Sequence, residues 1–151
     1  FWESVRSAAS VVRERALDST TGIAAGHCAD FRNPTKIITS VPIEPDCRSQ
    51  YGCLYCEHYV CHADEEDTHK LLSLQYVANA VRSGASDISY AEELFKELSI
   101  RIEFILQSIS ERSETSALLV NNLRNRVQEL GELTNFWESR LQRYEAMGVV
   151  F

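Results

Sequence analysis

The residue types best suited to chemistry in this chain are concentrated in one stretch, between His27 and His69. All five cysteines and all four histidines of the 151 residues lie in it. They are His27, Cys28, Cys47, Cys53, Cys56, His58, Cys61, His62 and His69. Thiolates and imidazoles are the ligands that zinc prefers in proteins. The clustering therefore predicts a metal site.

Four of the cysteines have the spacing of a tetrahedral zinc site. Cys53 and Cys56 form a C-x2-C knuckle, in which a short turn directs both sulfur atoms at one point. Cys28 and Cys47 are the nearest remaining thiols, and the complete pattern is C-x18-C-x5-C-x2-C. We predict that these four cysteines bind a structural zinc ion that holds a loop between helices.

The neighbouring residues supply alternative ligands. His62, six residues beyond the knuckle, competes with Cys47 for the fourth position, and His58 is the next candidate. Cys61 is one thiol more than a tetrahedral site needs, so we interpret it as a small buried apolar residue. We expect His27 to support the ligands without binding the metal, and His69 to lie on a helix surface.

A catalytic zinc would keep one coordination position for water beside a carboxylate base. Glu57 and Asp64 are the candidate bases, so a small zinc-dependent hydrolase with an open metal site is the alternative function. The sequence lacks the deaminase arrangement H-x-E followed by P-C-x-x-C, and it lacks the P-loop, G-x-G-x-x-G and G-x-S-x-G motifs. Because more than four soft ligands are available, we favour a saturated structural site and predict no catalytic residue.

Composition limits the class of protein. Hydrophobic residues make up 44% and charged residues 25%, as in an ordinary globular domain. The net charge of −7 argues against attachment to nucleic acid through bulk charge. The sequence has no apolar run of membrane-spanning length and no signal-peptide pattern, and five thiols cannot all pair, so we predict a reducing, cytoplasmic location. The first residue is Phe1 rather than Met, which we interpret as a C-terminal fragment of a larger protein.

Helices are predicted on both sides of the cysteine-rich stretch, because apolar residues recur there every three or four positions. The fold class is mainly α: an antiparallel helical bundle with a long zinc-stapled loop inserted between the first and second helices. All three prolines fall in the loop, where they oppose helix formation. The predicted spans are a helix over 1–21, the metal-binding loop over 22–62, and helices over 63–83, 87–112 and 114–147.

The last predicted helix carries a heptad-like apolar stripe. The stripe consists of Leu119, Leu123, Val127, Leu130, Leu133, Trp137, Leu141 and Tyr144. We interpret it as intramolecular core, with a homodimer through this helix as the alternative. The same helix carries the one basic group that is relevant to DNA, Arg124, Arg126, Arg140 and Arg143. Interleaved glutamates nearly cancel its charge, so we favour a solvated face.

The cysteine-rich stretch also resembles a known family. The residues that carry the resemblance are G-H-C at 26–28, Cys47, G-C-L-Y-C-E-H-Y at 52–59, H-A-D-E-E-D at 62–67 and K-L-L-S at 70–73. They look like the cysteine-bearing C-terminal part of certain long site-specific integrases of bacterial mobile elements, which are similar to tyrosine recombinases. The likeness covers roughly residues 22 to 75, and the flanking helices do not share in it.

The resemblance implies a metal-stapled accessory region attached after a domain that cuts and rejoins DNA. The catalytic arginines, histidine and nucleophilic tyrosine of the recombinases, with their L-G-H signature, do not appear in this chain, so no catalytic role is carried over, and Tyr144 is not that nucleophile. We therefore expect a non-catalytic accessory module that supports DNA recombination and integration. Its expected partners are other domains of the parent protein, another integrase, or DNA through the parent, and no membrane.

Overall fold

The computed structural model describes residues 2–14, 20–38, 41–48, 50–84 and 88–147. The fold is mostly helical (59%), with four helices packed together and a small mixed sheet of four strands. The helices are α1 (Trp2–Ser10), α2 (Glu65–Gly84), α3 (Ile88–Ser110), α4 (Glu114–Leu130) and α5 (Asn135–Met147), and the strands are β1 (Val12–Arg13), β2 (Thr21–Ile23), β3 (Gly26–Cys28) and β4 (Tyr59–His62). The mainly helical fold class is confirmed, and the sheet is an addition to it.

The first helix is shorter than the predicted span of 1–21, because α1 ends at Ser10. Beyond it, β1 pairs in parallel with β4. The backbone N–H of Cys61 donates to the carbonyl oxygen of Val11 at 2.9 Å. Valine is β-branched and suits an extended backbone, so strand pairing outweighs its weaker helical preference here. Residues 15–19 of the predicted helix lie outside the described residues.

The predicted metal-binding loop over 22–62 contains regular structure. The strand order in the sheet is β1-β4-β3-β2, and β3 pairs antiparallel with both β2 and β4. A single 3₁₀ turn covers Cys53–Tyr55. Backbone pairing therefore orders part of the region that the sequence predicts as a metal-binding loop.

The β2–β3 hairpin requires a glycine at position 26. Gly26 has φ of +154°, and a Cβ atom there would lie 3.0 Å from both the Tyr59 hydroxyl and the Val60 carbonyl oxygen. The same hydroxyl donates a hydrogen bond to the Ala25 carbonyl at 2.7 Å. The hairpin and β4 therefore pack in close contact, which fixes the position of β3, the strand that carries His27 and Cys28.

The helix α2 is the centre of the molecule. Its observed span starts and ends within two residues of the predicted 63–83. It packs against β3, α3, α4 and α5. Its fully buried apolar residues are Leu71, Leu72, Leu74, Val77, Ala78 and Val81. Within the part of the chain that the structure describes, none of the helices combines the length and the apolarity that crossing a membrane would need.

The long helix predicted over 114–147 is two helices. Gly131 follows α4 with φ of +67°, and its N–H donates to the Val127 carbonyl at 3.0 Å, as in a left-handed C-cap. After the break, Trp137 of α5 is completely buried, and its indole N–H donates to the Ala24 carbonyl at 2.9 Å. The heptad-like stripe predicts one helix because its spacing continues across the break, but Trp137 packs on the β2–β3 hairpin.

Candidate metal centres

Four cysteines from separate segments line one small cavity. Cys28 is the last residue of β3, and Cys47 lies in the loop that follows. Cys53 begins the 3₁₀ turn, and Cys56 follows its last residue. The cavity has a volume of about 20 Å³ accessible to a water-sized sphere, which is enough for a single ion or water. The structure thus brings Cys28, Cys47, Cys53 and Cys56 to one place.

The local backbone explains why a C-x2-C sequence suits this cavity. In a 3₁₀ helix, side chains three residues apart lie on the same face, and Cys53 and Cys56 have that separation. The N–H of Cys56 donates to the Cys53 carbonyl at 3.1 Å, which closes the turn. Gly52 precedes it where a Cβ atom would lie 2.2 Å from the Glu44 carbonyl oxygen, so only glycine lets these two segments approach so closely.

Two thiols of the cavity, Cys28 and Cys53, are buried, and the neighbouring thiols affect their pKa. Burial raises the pKa of the Cys28 thiol, a backbone hydrogen bond from Asp30 lowers it, and the neighbouring Cys56 and Cys47 raise it. Burial, with Cys47 as the strongest electrostatic neighbour, raises the pKa of the Cys53 thiol further. All five cysteines are free thiols. Without a cation, burial therefore favours the protonated form of Cys28 and Cys53, and a bound metal would replace those two protons.

A second group lies between the sheet and α2. The ligand atoms of His27, His62 and Asp67 all lie within 4.8 Å of one another, and the group could hold a metal ion. His27 Nδ1 is 3.0 and 2.9 Å from the two carboxylate oxygens of Asp67, and His62 Nδ1 is 3.2 Å from Oδ2. Among the described residues, no three cysteine sulfurs are as close together as these atoms.

The alternative ligands lie outside the cysteine cavity. His62 contacts Asp67, as given above. His58 Nε2 is 3.4 Å from the Thr35 hydroxyl and 3.9 Å from Oδ2 of Asp30. Neither histidine is among the residues that line the cavity. Of the two ligands that the sequence leaves in competition, the structure places Cys47 at the cavity and His62 at the second group.

The other candidates have structural contacts. Cys61 is fully buried and its thiol lies 3.7 Å from the His62 carbonyl oxygen. The ring Nε2 of His69 is 2.7 Å from the Glu132 carbonyl oxygen, which links α2 to the segment between α4 and α5. His27 has a larger part than predicted, because it belongs to the second group.

The carboxylates proposed as catalytic bases lie away from the cavity. Asp64 Oδ1 accepts a hydrogen bond from the N–H of Asp67 at 3.1 Å, so it stabilises the start of α2. Glu57 is exposed and is not among the residues that line the cavity. The carboxylates among the described lining residues are Asp30 and Asp46. Neither predicted base is therefore placed to activate a water in the cavity.

The basic group of the last predicted helix is divided by the break after α4. Arg124 makes two hydrogen bonds to the carboxylate of Glu103, at 2.8 and 3.1 Å. Arg126 pairs with Glu132 at 2.7 Å. Arg140 lies over the Phe136 ring. Three of the four arginines of this basic group therefore have contacts within the chain.

Asp67 is the functional candidate that sequence reasoning missed. Four acidic residues at the start of a helix indicate dipole capping, and that pattern conceals the one carboxylate that points inwards. The structure shows why the two histidines meet: His27 faces Val60 in the register, so His62, two residues further, lies on the same face of the sheet. The short strands give no sequence signal of that pairing.

Comparison with known proteins does not add a family. No family model, no curated protein and no solved structure matches this chain.

Proposed function

We propose that this chain is a non-catalytic interaction module whose cysteine-rich loop is held by a structural zinc ion on Cys28, Cys47, Cys53 and Cys56. The observation that carries the proposal is the common cavity that these four residues line. Its donor set is four sulfurs, which is typical of structural zinc sites because it saturates a tetrahedral ion. The resemblance to mobile-element integrases implies that the module serves DNA integration.

Hydrogen bonds to sulfur support a thiolate form of the site. The N–H of Thr35 donates to Cys56 Sγ at 3.4 Å, and the backbone of Asp30 contributes one to Cys28. Such N–H donors stabilise the negative charge that a zinc-bound thiolate retains. These donors favour metal ligation over an apolar cluster of thiols.

The partner that fits best is another protein domain. The net charge is −7, and three of the four arginines in the predicted basic group have contacts within the chain, so a phosphate backbone finds little free cationic surface there. A homodimer through the last helices is less well supported, because Leu123, Val127 and Trp137 of the stripe are buried within the chain. We therefore favour domains of the parent protein or another integrase.

The test is the zinc content and coordination of the purified chain, measured by elemental analysis and X-ray absorption at the zinc edge. We expect the cysteine site to contribute four sulfur ligands, and Cys56→Ser to abolish it. Cys61→Ala is the matched control, because it removes a thiol outside the cavity and should leave this zinc bound. A zinc without sulfur ligands would overturn the proposal. A mixed sulfur and oxygen shell that persists in the His27→Gln and Asp67→Asn variants would favour the zinc-dependent hydrolase.

A further inference from the structure

We propose that His27, His62 and Asp67 form a second metal site, which takes a first-row divalent ion such as zinc. Two imidazoles and one carboxylate form a donor set that suits zinc, iron(II) and cobalt(II). The three residues come from three elements, β3, β4 and α2. An ion there would join the sheet to the central helix, independently of the cysteine cavity.

The distances from the carboxylate to the two imidazoles fit coordination of one ion. Ligands at about 2.0–2.1 Å from zinc, at angles between 90 and 110°, lie roughly 2.9–3.4 Å from one another. The separations from Asp67 Oδ2 are 2.9 Å to His27 Nδ1 and 3.2 Å to His62 Nδ1. The two imidazole rings have a centroid distance of 4.3 Å, so they lie side by side. Each ring thus directs the same nitrogen at the carboxylate.

Surrounding groups orient the ligands. The backbone N–H of His62 donates to Asp67 Oδ2 at 2.7 Å, which fixes the carboxylate plane. The other ring nitrogen of His27 is 3.7 Å from the carboxylate of Glu66, and a carboxylate behind a histidine is the usual support for a metal ligand. Lys70 Nζ is 3.7 Å from Oδ1 of Asp67, on the opposite oxygen, where its charge opposes a cation.

The burial of these three side chains favours a bound cation, because the carboxylate has lost its hydration. The exposed fractions of His27, His62 and Asp67 are 6%, 1% and 0%. A buried carboxylate needs opposite charge or hydrogen-bond donors to offset its lost hydration. Without metal, imidazole and backbone N–H donors offset the lost hydration of the carboxylate, and their hydrogen bonds link the sheet to α2. With metal, the same atoms are ligands of the ion. The metal-free and metal-bound states therefore differ in the number of metal ions bound per chain.

The two sites are separable because His27 and Cys28 are consecutive in a strand. Neighbouring side chains of a strand point to opposite faces. The contacts agree, since His27 meets Asp67 of α2 whereas Cys28 lines the cysteine cavity. Loss of one site therefore leaves the other's ligands in place.

The experiment is a titration of the metal-stripped, reduced chain with Co²⁺, following bound metal by equilibrium dialysis and the thiolate-to-cobalt charge-transfer absorption. We expect two equivalents in the wild-type chain, and one equivalent in Asp67→Asn and in His27→Gln with the charge-transfer band retained. Glu65→Gln removes the same charge from the same helical turn at an exposed position, and should bind two.

One equivalent in the wild-type chain with a full thiolate band would overturn the second site and leave the cysteine site intact. Two equivalents in both variants would also overturn it, because the second ion would then be elsewhere. One equivalent that is lost in Asp67→Asn, with no thiolate band, would support the second site while contradicting the cysteine site. Circular dichroism identifies a variant that does not fold, and the wild-type stoichiometry then decides.

Discussion

Gly52 is the residue on which the geometry of the cysteine knuckle depends most directly. It allows the segment that carries Cys47 to pass against the turn that carries Cys53, through contact with the Glu44 carbonyl. A side chain at position 52 must displace backbone rather than a flexible side-chain tip. Replacing Gly52 therefore affects the position of a metal ligand as well as the stability of the fold.

We expect Gly52→Ala to lower zinc affinity at least tenfold and to destabilise the fold by roughly 1–3 kcal/mol, because the overlap with backbone forces the loop away. Competition with a chromophoric chelator measures the affinity, and thermal unfolding measures the stability. Gly22→Ala is the control, since a Cβ atom there meets atoms only at 3.7 Å. Equal affinities in the two variants would show that the loop tolerates the displacement.

Glu103 is a partly exposed carboxylate that three donors stabilise. Burial alone would raise its pKa, but hydrogen bonds from Arg124 and Gln75 and the charge of Arg124 lower it below the usual value of 4.5. A depressed folded-state pKa means that the ionised group adds stability above the unfolded pKa. That contribution disappears as the pH falls through the folded pKa.

We accordingly expect Glu103→Gln to lower the free energy of unfolding at pH 7 by less than about 1 kcal/mol, because the pair is partly exposed. The difference from wild type should shrink as the pH falls below 4.5. Urea unfolding at several pH values between 3 and 7 measures it, with Glu129→Gln on the exposed face of α4 as control. A difference that grows on acidification would contradict this assignment.

At the scale of elements, the sequence predicts α2 well and the chain on either side of it less well. The span of α2 is recognisable because a capped start, a dense apolar pattern and a Ser83-Gly84 stop agree. The strands β1 to β4 have two to four residues each, too few for an alternating pattern to be visible, and their partners are distant in sequence. The pairing of β1 with β4 decides where α1 ends, and local helix propensity carries no information about pairing between distant residues.

The break between α4 and α5 has a different cause. The apolar spacing continues through Gly131, and only the positive φ of that residue stops the helix. A glycine within a helical sequence pattern predicts a less stable helix, but it does not necessarily predict the end of that helix. The four cysteines were recognisable from spacing, whereas Asp67 was hidden because its neighbours are also acidic.

We expect Gly131→Ala to destabilise the chain by about 1 kcal/mol, since alanine must adopt a left-handed backbone conformation there. Among the described residues, no atom lies within 4 Å of the added methyl group, so the effect isolates backbone strain. Chemical denaturation measures it, with the exposed Asn125→Ala on α4 as control. A stabilised variant would mean that α4 and α5 join into one helix, as the heptad-like spacing suggests.

At the scale of the whole molecule, the cysteine loop and the helical core are two regions of different local stability. The loop is tied to the knuckle by a few hydrogen bonds, among them Ile37 N–H to the Tyr55 carbonyl at 2.9 Å and Glu57 N–H to the Thr35 carbonyl at 2.8 Å. The helices supply most of the buried apolar cluster, which the cysteine-rich region joins through residues such as Ile43, Tyr51 and Leu54. Metal removal should therefore act locally.

We expect a chelator to accelerate amide exchange of Ile37 and Glu57 at least tenfold, while amides in the middle of α2, such as that of Leu74, keep their protection. Hydrogen exchange followed by mass spectrometry or NMR provides the measurement. The Cys56→Ser variant, which lacks a ligand, should show the fast exchange with or without chelator. Global loss of protection on chelation would mean that the helical core does not stand without the metal.

The hydrogen bond from Trp137 to Ala24 joins residues separated by 113 positions. A chain leaves the ribosome from its N-terminus, so the hairpin exists long before the indole that covers it has been synthesised. Until then Tyr51, which packs against the same indole at 5.2 Å between ring centroids, lacks one of its neighbours. The hairpin therefore lacks its indole cover until α5 has been synthesised, and a chain that stalls before residue 137 exposes this part of the sheet to the quality-control machinery of the cell.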